Sequence, residues 1–386
     1  MNLKNFTITR RRVKREPAYI TYLFIIWAIF LIIAVALTLY ITKNVKNRYY
    51  DEQIEAAELA KLAMEQIKER KQELQIEFPN VDKYNCGMIG DWTSQITTTS
   101  GIIGAKRTAV NPDFAAVYID MFREAGVSKG DQIAIIMSGS FPTLNISAMA
   151  AAQVFELDVC IMSSIGSSTF GANNENFTFF DMAEYLYSIG TFKNRIDYVS
   201  FGGSNDDGAE FPSEVRNKIL DRINKSGITF LCESNLEKNV KKRTQLIFEK
   251  CPNAKLLISV GGTLVAMGEG DTGTTLYRGL VKPTYLNITK DIDESKCGLL
   301  DVFLNKGIPV IQMLNVKGIA LDYGIEYDPA VIPPIGKADA YYEISYQLTI
   351  PIIALVISSG LLIFYYVYRK KHFNTGSQIW NLLFFM

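Results

Sequence analysis

The chain has 386 residues, 48% of them hydrophobic and 21% charged, and its 40 acidic and 40 basic side chains cancel. That balance excludes an electrostatic nucleic-acid binder, which needs an excess of basic charge on one face. The only histidine, His372, lies close to the C-terminal end, so a Ser-His-Asp triad, a Cys-His dyad or a His-ligated zinc site is excluded from the central region.

Residues 1–17 carry Lys4, Arg10, Arg11, Arg12, Lys14 and Arg15 and read as a basic, cytoplasmic N-terminus. Residues 18–41 follow without a single Asp, Glu, Lys or Arg, long enough to cross a bilayer as a helix, which takes about 20 residues. Each charged side chain at mid-membrane would cost about 2.5–3.5 kcal/mol. A core helix of a soluble protein rarely stays uncharged on every face for this long. The stretch is also too long for a secretory signal, and no small-residue cleavage site follows it.

Residues 42–79 read as a helical stalk. Pro17 and Pro79 bound a segment with no other proline and no glycine, in which Ile54, Ala57, Leu62, Met64, Ile67 and Leu74 recur at loose helical spacing. An unbroken helix there would measure about 90 Å. Its apolar stripe fits either contact with its own domain or a seam between copies in a homo-oligomer.

Residues 80–329 read as one large α/β domain. Asn111-Pro112 opens a helix ending near Gly126, and strand 132–137 follows. Helix 142–157, strand 158–162, helix 179–189, strand 196–201, helix 212–226, strand 228–232, helix 236–250 and strand 256–260 come next. A helix at 299–305 then leads to strand 309–314. Short apolar strands alternating with helices imply right-handed crossovers and a three-layer, mostly parallel, doubly wound sheet of Rossmann-like topology.

The loops after these strands carry the functional signal. They contain Ser138-Gly139-Ser140, then Ser163-Ser164 and Ser167-Ser168, then Gly202-Gly203 running on to Asp206-Asp207-Gly208, and Gly261-Gly262-Thr263. Ligands of open parallel sheets bind beyond the carboxyl ends of the strands. Glycines admit a ligand to the backbone, and hydroxyls with helix-start N–H groups suit an anion. The four loops therefore predict one polar pocket for an anionic or hydroxylated ligand, against the plainer reading that such turns are rich in Gly and Ser for conformational reasons.

No cofactor is implied: neither G-x-G-x-x-G nor G-x-x-x-x-G-K-[ST] follows a strand. Ser138 or Ser140 could act as a nucleophile with Lys106 as base, although G-x-S-x-G is absent. The plainer fate of Lys106-Arg107 is a solvated surface or a carboxylate contact. Asp206-Asp207 offers a cation site or, more commonly for such a loop, turn capping. No metal site is assigned. The scattered Cys86, Cys160, Cys232, Cys251 and Cys297 contain no C-x-x-C pair and give no disulfide framework.

The runs GIIGAKRTAVNPDFAAVYIDMFREAGVSKGD (101–131), SGSFPTLNISAMAA (138–151), SSIGSSTFGANNENFTFFDMAEYL (163–186) and VGGTLVAMG (260–268) resemble the poly-γ-glutamate system protein family. These are bacterial membrane proteins that accompany poly-γ-glutamate synthase. The resemblance covers about residues 86–329 and carries no catalytic residues with it. It implies an anionic polymer and the synthase subunits as partners.

After a linker at 330–344, residues 345–368 repeat the charge-free apolar pattern, and Arg369, Lys370 and Lys371 follow. Basic flanks at both outer ends predict two transmembrane helices, cytoplasmic termini and an extracytoplasmic central domain in the cell membrane, although Lys43, Lys46 and Arg48 also flank the first span. The tail 369–386 carries a short apolar run, Ile379-Trp380 with 382–385, suited to the inner leaflet or a synthase subunit. The sequence thus leads to a membrane-anchored accessory protein of poly-γ-glutamate synthesis or export. A histidine-independent γ-glutamyl hydrolase or transferase and a structural scaffold are the alternatives.

Overall fold

The structure is a computed structural model, and it describes residues 18–269, 278–283 and 294–373. The basic N-terminus at 1–17 and the apolar run of the tail lie outside the described residues. The chain forms two compact units, one of Lys46–Tyr342 and one of Met1–Val45 with Glu343–Met386.

Chain order begins with α1 (Ala18–Tyr40), β1 (Thr42–Lys46) and α2 (Tyr50–Glu73). The larger unit continues through β2 (Thr97–Thr99), α3 (Ile103–Ala109), α4 (Phe114–Ala125), β3 (Gln132–Ser138), α5 (Pro142–Val154), β4 (Asp158–Ser164) and β5 (Ser167–Ser168). Then come α6 (Phe179–Ser188), β6 (Tyr198–Ser200), α7 (Ser213–Ser226), β7 (Thr229–Leu231), α8 (Leu236–Lys250), β8 (Leu257–Val260), α9 (Leu264–Met267) and β9 (Gly279–Val281). Finally α10 (Leu299–Asn305), β10 (Val310–Met313) and α11 (Val316–Asp322) precede β11 (Tyr342–Tyr346) and α12 (Thr349–Phe373).

Seven strands form one sheet in the order β7-β6-β4-β3-β8-β10-β9, all parallel except the antiparallel edge strand β9. Alternate residues of each strand feed different cores, as a pleat of period two requires. Ile133, Ile135 and Met137 of β3 join one buried cluster with α4, α5, α6 and α7. Ala134 and Ile136 join the other, with α8, α9 and α10. Helices therefore cover both faces, and the α/β class read from the sequence holds.

The winding reverses beside β3. From β3 the chain steps outward through β4, β6 and β7, then returns by way of α8 to β8 on the other side of β3. The crossovers that leave β3 and β8 use opposite faces, so their carboxyl ends diverge and leave a crevice.

Residues 42–79 are not a free stalk. Strand β1 interrupts the helix, and α2 packs on α4 and α5 through Ala56, Ala60, Ala63, Met64 and Ile67, all in the core. Polar groups assist it: Gln53 Nε2 donates to Ala116 O and Ala340 O (3.2 and 2.7 Å), and Lys71 Nζ donates to Gly87 O (2.7 Å). Of the apolar stripe, Ala57, Met64 and Ile67 are buried on the domain itself, while Leu62 and Leu74 stay exposed.

The linker expected at 330–344 is also built into the domain. The buried carboxylate of Asp113 accepts from the N–H groups of Gly336, Lys337 and Ala338 (each 3.1 Å) and from the Tyr341 hydroxyl (2.6 Å). Four donors on one carboxylate fix the segment.

In the smaller unit α1 packs against α12, and β1 pairs with β11. Among the described residues one helix, Thr349–Tyr368, is long and apolar enough to cross a membrane. Ile352, Leu355, Val356 and Phe364 on it are more than half exposed, as lipid-facing side chains would be. Among the described side chains, the apolar part of the helix near the N-terminus is the shorter stretch Ile25–Tyr40. The expectation of two spans is thus reduced to one, and that one begins after strand β11 rather than at residue 345.

Candidate functional site

The crevice beyond β3 and β8 opens into a cleft of about 660 Å³, a size typical of small-ligand sites. In-register pairing sets its floor: Ser138 of β3 lies beside Ser164 of β4, which lies beside Ser200 of β6. Ser138, Ser140, Ser164, Ser168, Gly203, Gly262 and Thr263 line it, all of them on loops or strand ends picked out in the sequence. Among the described residues no carboxylate lines it.

The remaining candidates hold the walls in place. Gly139 is hydrogen-bonded on both sides, its N–H donating to Gly166 O (3.1 Å) and its carbonyl accepting from Ser167 Oγ (3.0 Å). Its φ is not positive, yet a Cβ there would press on Ile165 O at 2.8 Å. Gly202 and Gly261 have φ of 76° and 91°, a region that favours glycine. A Cβ at Gly261 would also collide with Ser138 Oγ. Ser163 is buried on β4 with its hydroxyl unpartnered, away from the cleft lining. Arg107 lies apart: its Nε is 3.3 Å from Asp328, which Lys83 also engages at 2.8 Å, so its role is the carboxylate contact.

Asp206 is no cation ligand either. It is buried at φ 60°, accepts from Ser200 Oγ (2.7 Å) and Asn239 Nδ2 (3.0 Å), and pairs with buried Arg243. Asp207 caps the turn by accepting from Ala209 N (2.9 Å). No metal-ligating cluster occurs among the described residues, and the five cysteines form no disulfide. The helix start expected to aim N–H groups inward stops short, because the lining reaches Ser140 and Phe141 but not Pro142.

Lys106 is the side chain that changes the chemistry. It sits on α3 and is buried, with Nζ donating to Ser168 Oγ (2.7 Å) and to Ser140 O. The same nitrogen lies 3.7 Å from the centre of the Phe141 ring. Burial pulls its pKa down to about 7, because the charged form loses its hydration. The sequence offered this lysine to the hydroxyl of Ser138 or Ser140; the structure places it on the Ser168 hydroxyl and the Ser140 carbonyl.

Residues 94–102 form a wall that the sequence reading missed. The short strands β2 and β5 pair in parallel, and Asn173 bridges to Asp91 and Thr97. This clamp lays Thr98, Thr99, Ser100 and Gly101 along the cleft. The hydroxyl-rich run Thr97–Gly101, directly before Lys106, was the available signal. Phe141, Leu264, Met267 and Leu314 add an apolar side that a search for Gly and Ser does not find. No protein-family model, curated protein or solved structure matches the chain.

Proposed function

We propose that this chain is a membrane-tethered accessory protein of poly-γ-glutamate synthesis or export, whose Lys46–Tyr342 unit binds the anionic polymer, or a synthase subunit carrying it, in the strand-end cleft. The observation that carries the reading is that cleft: hydroxyls from four loops at the β3/β8 switch point, no acidic lining among the described residues, and a buried lysine behind them. A carboxylate can take hydrogen bonds from Ser138, Ser140, Ser164 or Thr263 without meeting a like charge. The resemblance of residues 101–131, 138–151, 163–186 and 260–268 to the poly-γ-glutamate system proteins supplies the polymer's identity. The apolar helix Thr349–Tyr368 supplies the membrane tether, and the basic run Arg369-Lys370-Lys371 after it argues for a cleft outside the cytoplasm.

Cells that make the polymer provide the test. Replacing the protein by its Gly262→Leu variant, at equal protein level, should lower polymer output, since the new side chain grows between Met267 and Leu314 of the cleft. Unchanged output would contradict the reading and leave the protein a scaffold. Membrane-impermeant labelling of a cysteine placed at Asn205 should succeed in intact cells; labelling only after lysis would overturn the outside placement.

A further inference from the structure

We propose that Ser168 is a nucleophile, with Lys106 as its general base, and that the cleft performs acyl transfer on an amide or ester carbonyl. Three geometric features carry this. Lys106 Nζ is 2.7 Å from Ser168 Oγ, within the reach a base needs. Ser168 lines the cleft, and its backbone N–H donates to Ser140 Oγ (3.0 Å), which fixes the strand that presents it. Gly101 keeps the approach open, since a Cβ there would lie 3.0 Å from Lys106 Cε and 3.1 Å from Ser168 Oγ.

The surroundings favour a neutral amine. No ion pair engages Lys106 among the described residues, and burial alone lowers its pKa to about 7. The only histidine, His372, is beyond the unit that holds the cleft. Lys106 is therefore the base available to Ser168.

The step balances without a cofactor. Ser168 Oγ bonds to the carbonyl carbon while its proton passes to Lys106 Nζ. Collapse breaks the carbonyl's bond to the leaving nitrogen or oxygen, which takes that proton from the ammonium. Water then attacks the acyl-serine, gives a proton to Nζ, and releases a carboxylic acid as Ser168 recovers its proton. A γ-linked amide is the substrate if the polymer reading above is right; the dyad itself does not depend on that reading.

A fluorophosphonate ester tests the dyad without the polymer, because it forms a serine–phosphorus bond with loss of fluoride. The full chain in detergent micelles should be labelled at Ser168, found by mass spectrometry, at a rate that rises as pH increases through about 7. Ser168→Ala should abolish the adduct, and Lys106→Arg should slow it at least about 100-fold, the usual worth of a positioned base. Because Lys106→Arg can disturb folding, the wild-type pH profile is the second measure, which a purely structural lysine would not produce. No adduct, an adduct that survives Ser168→Ala, or a rate flat from pH 6 to 8 each overturns the proposal. Failure here leaves polymer binding testable by direct titration.

Discussion

Lys106 and Ser168 stand 62 positions apart in sequence, yet Nζ lies 2.7 Å from Oγ. The pair meets because β2 pairs with β5, and Asn173 bridges to Asp91 and Thr97, so the wall that precedes α3 is stitched to the strand that carries Ser168. A buried amine behind a hydroxyl-lined cleft has two uses with opposite pH signatures. Charged, it attracts an anion; neutral, it takes a proton from serine.

Polymer binding should therefore tighten as pH falls. A bound carboxylate favours the ammonium form and raises the pKa of Lys106 from about 7, so binding takes up a proton in the window above 7. Affinity for a γ-glutamate oligomer, read by titration calorimetry at pH 6 and 8, should differ by no more than about tenfold per pH unit, stronger at pH 6. A flat or inverted dependence contradicts the role given to Lys106.

Stability should move the other way. An unfolded lysine titrates near 10.4, whereas folded Lys106 titrates at about 7 and Lys71 at about 8, both lowered chiefly by burial. Between those values the unfolded chain holds protons that the folded chain lacks, so stability rises with pH. The thiols of Cys86 and Cys160, raised by burial to about 12, oppose this only above their unfolded pKa near 8.5. Chemical denaturation from pH 7 to 8.5 should show the upward slope, and Lys106→Met should reduce it to the share of Lys71.

Neighbouring glycines should separate folding from binding. Gly261→Ala forces a Cβ at φ 91° against Ser138 Oγ and should cost about 1–3 kcal/mol. Gly262 has ordinary φ, and its Cβ would meet Met267 Sδ at 3.1 Å and Leu314 Cδ2 at 3.3 Å, both side chains. Thermal melts should show a larger loss for Gly261→Ala than for Gly262→Leu.

Much of the scaffold was legible. Strands such as β3 and β4 are apolar runs closed by Ser and Gly, and α8 keeps its sequence bounds, with the Asn235 side chain accepting from Lys238 N (3.0 Å). The loops after β3, β4, β6 and β8 were legible for the same reason: parallel topology brings strand ends together. What escaped depends on contacts between distant segments. The strands β2 and β5 have three and two residues and exist only through each other. The surface of α2 looks solvated because Gln53 and Lys71 are polar, yet both are buried on backbone carbonyls. The same holds for Asp113, whose partners lie 223 or more residues away.

Asp113→Ala should loosen that segment. It removes an acceptor from three N–H groups and leaves the buried Tyr341 hydroxyl without its 2.6 Å partner. Charged hydrogen bonds are each worth about 1.5–3 kcal/mol, so the loss should reach about 3 kcal/mol or more. Amide exchange should accelerate at Gly336–Ala338 before the sheet is affected. Unchanged protection there would contradict the anchoring role.

Direct titration of a defined γ-glutamate oligomer onto the full-length chain in micelles tests the central claim most closely. The cleft reading predicts saturable binding by the native chain, lost in Gly262→Leu while the melting transition stays cooperative. Equal binding by both chains, or none by the native one, would contradict it.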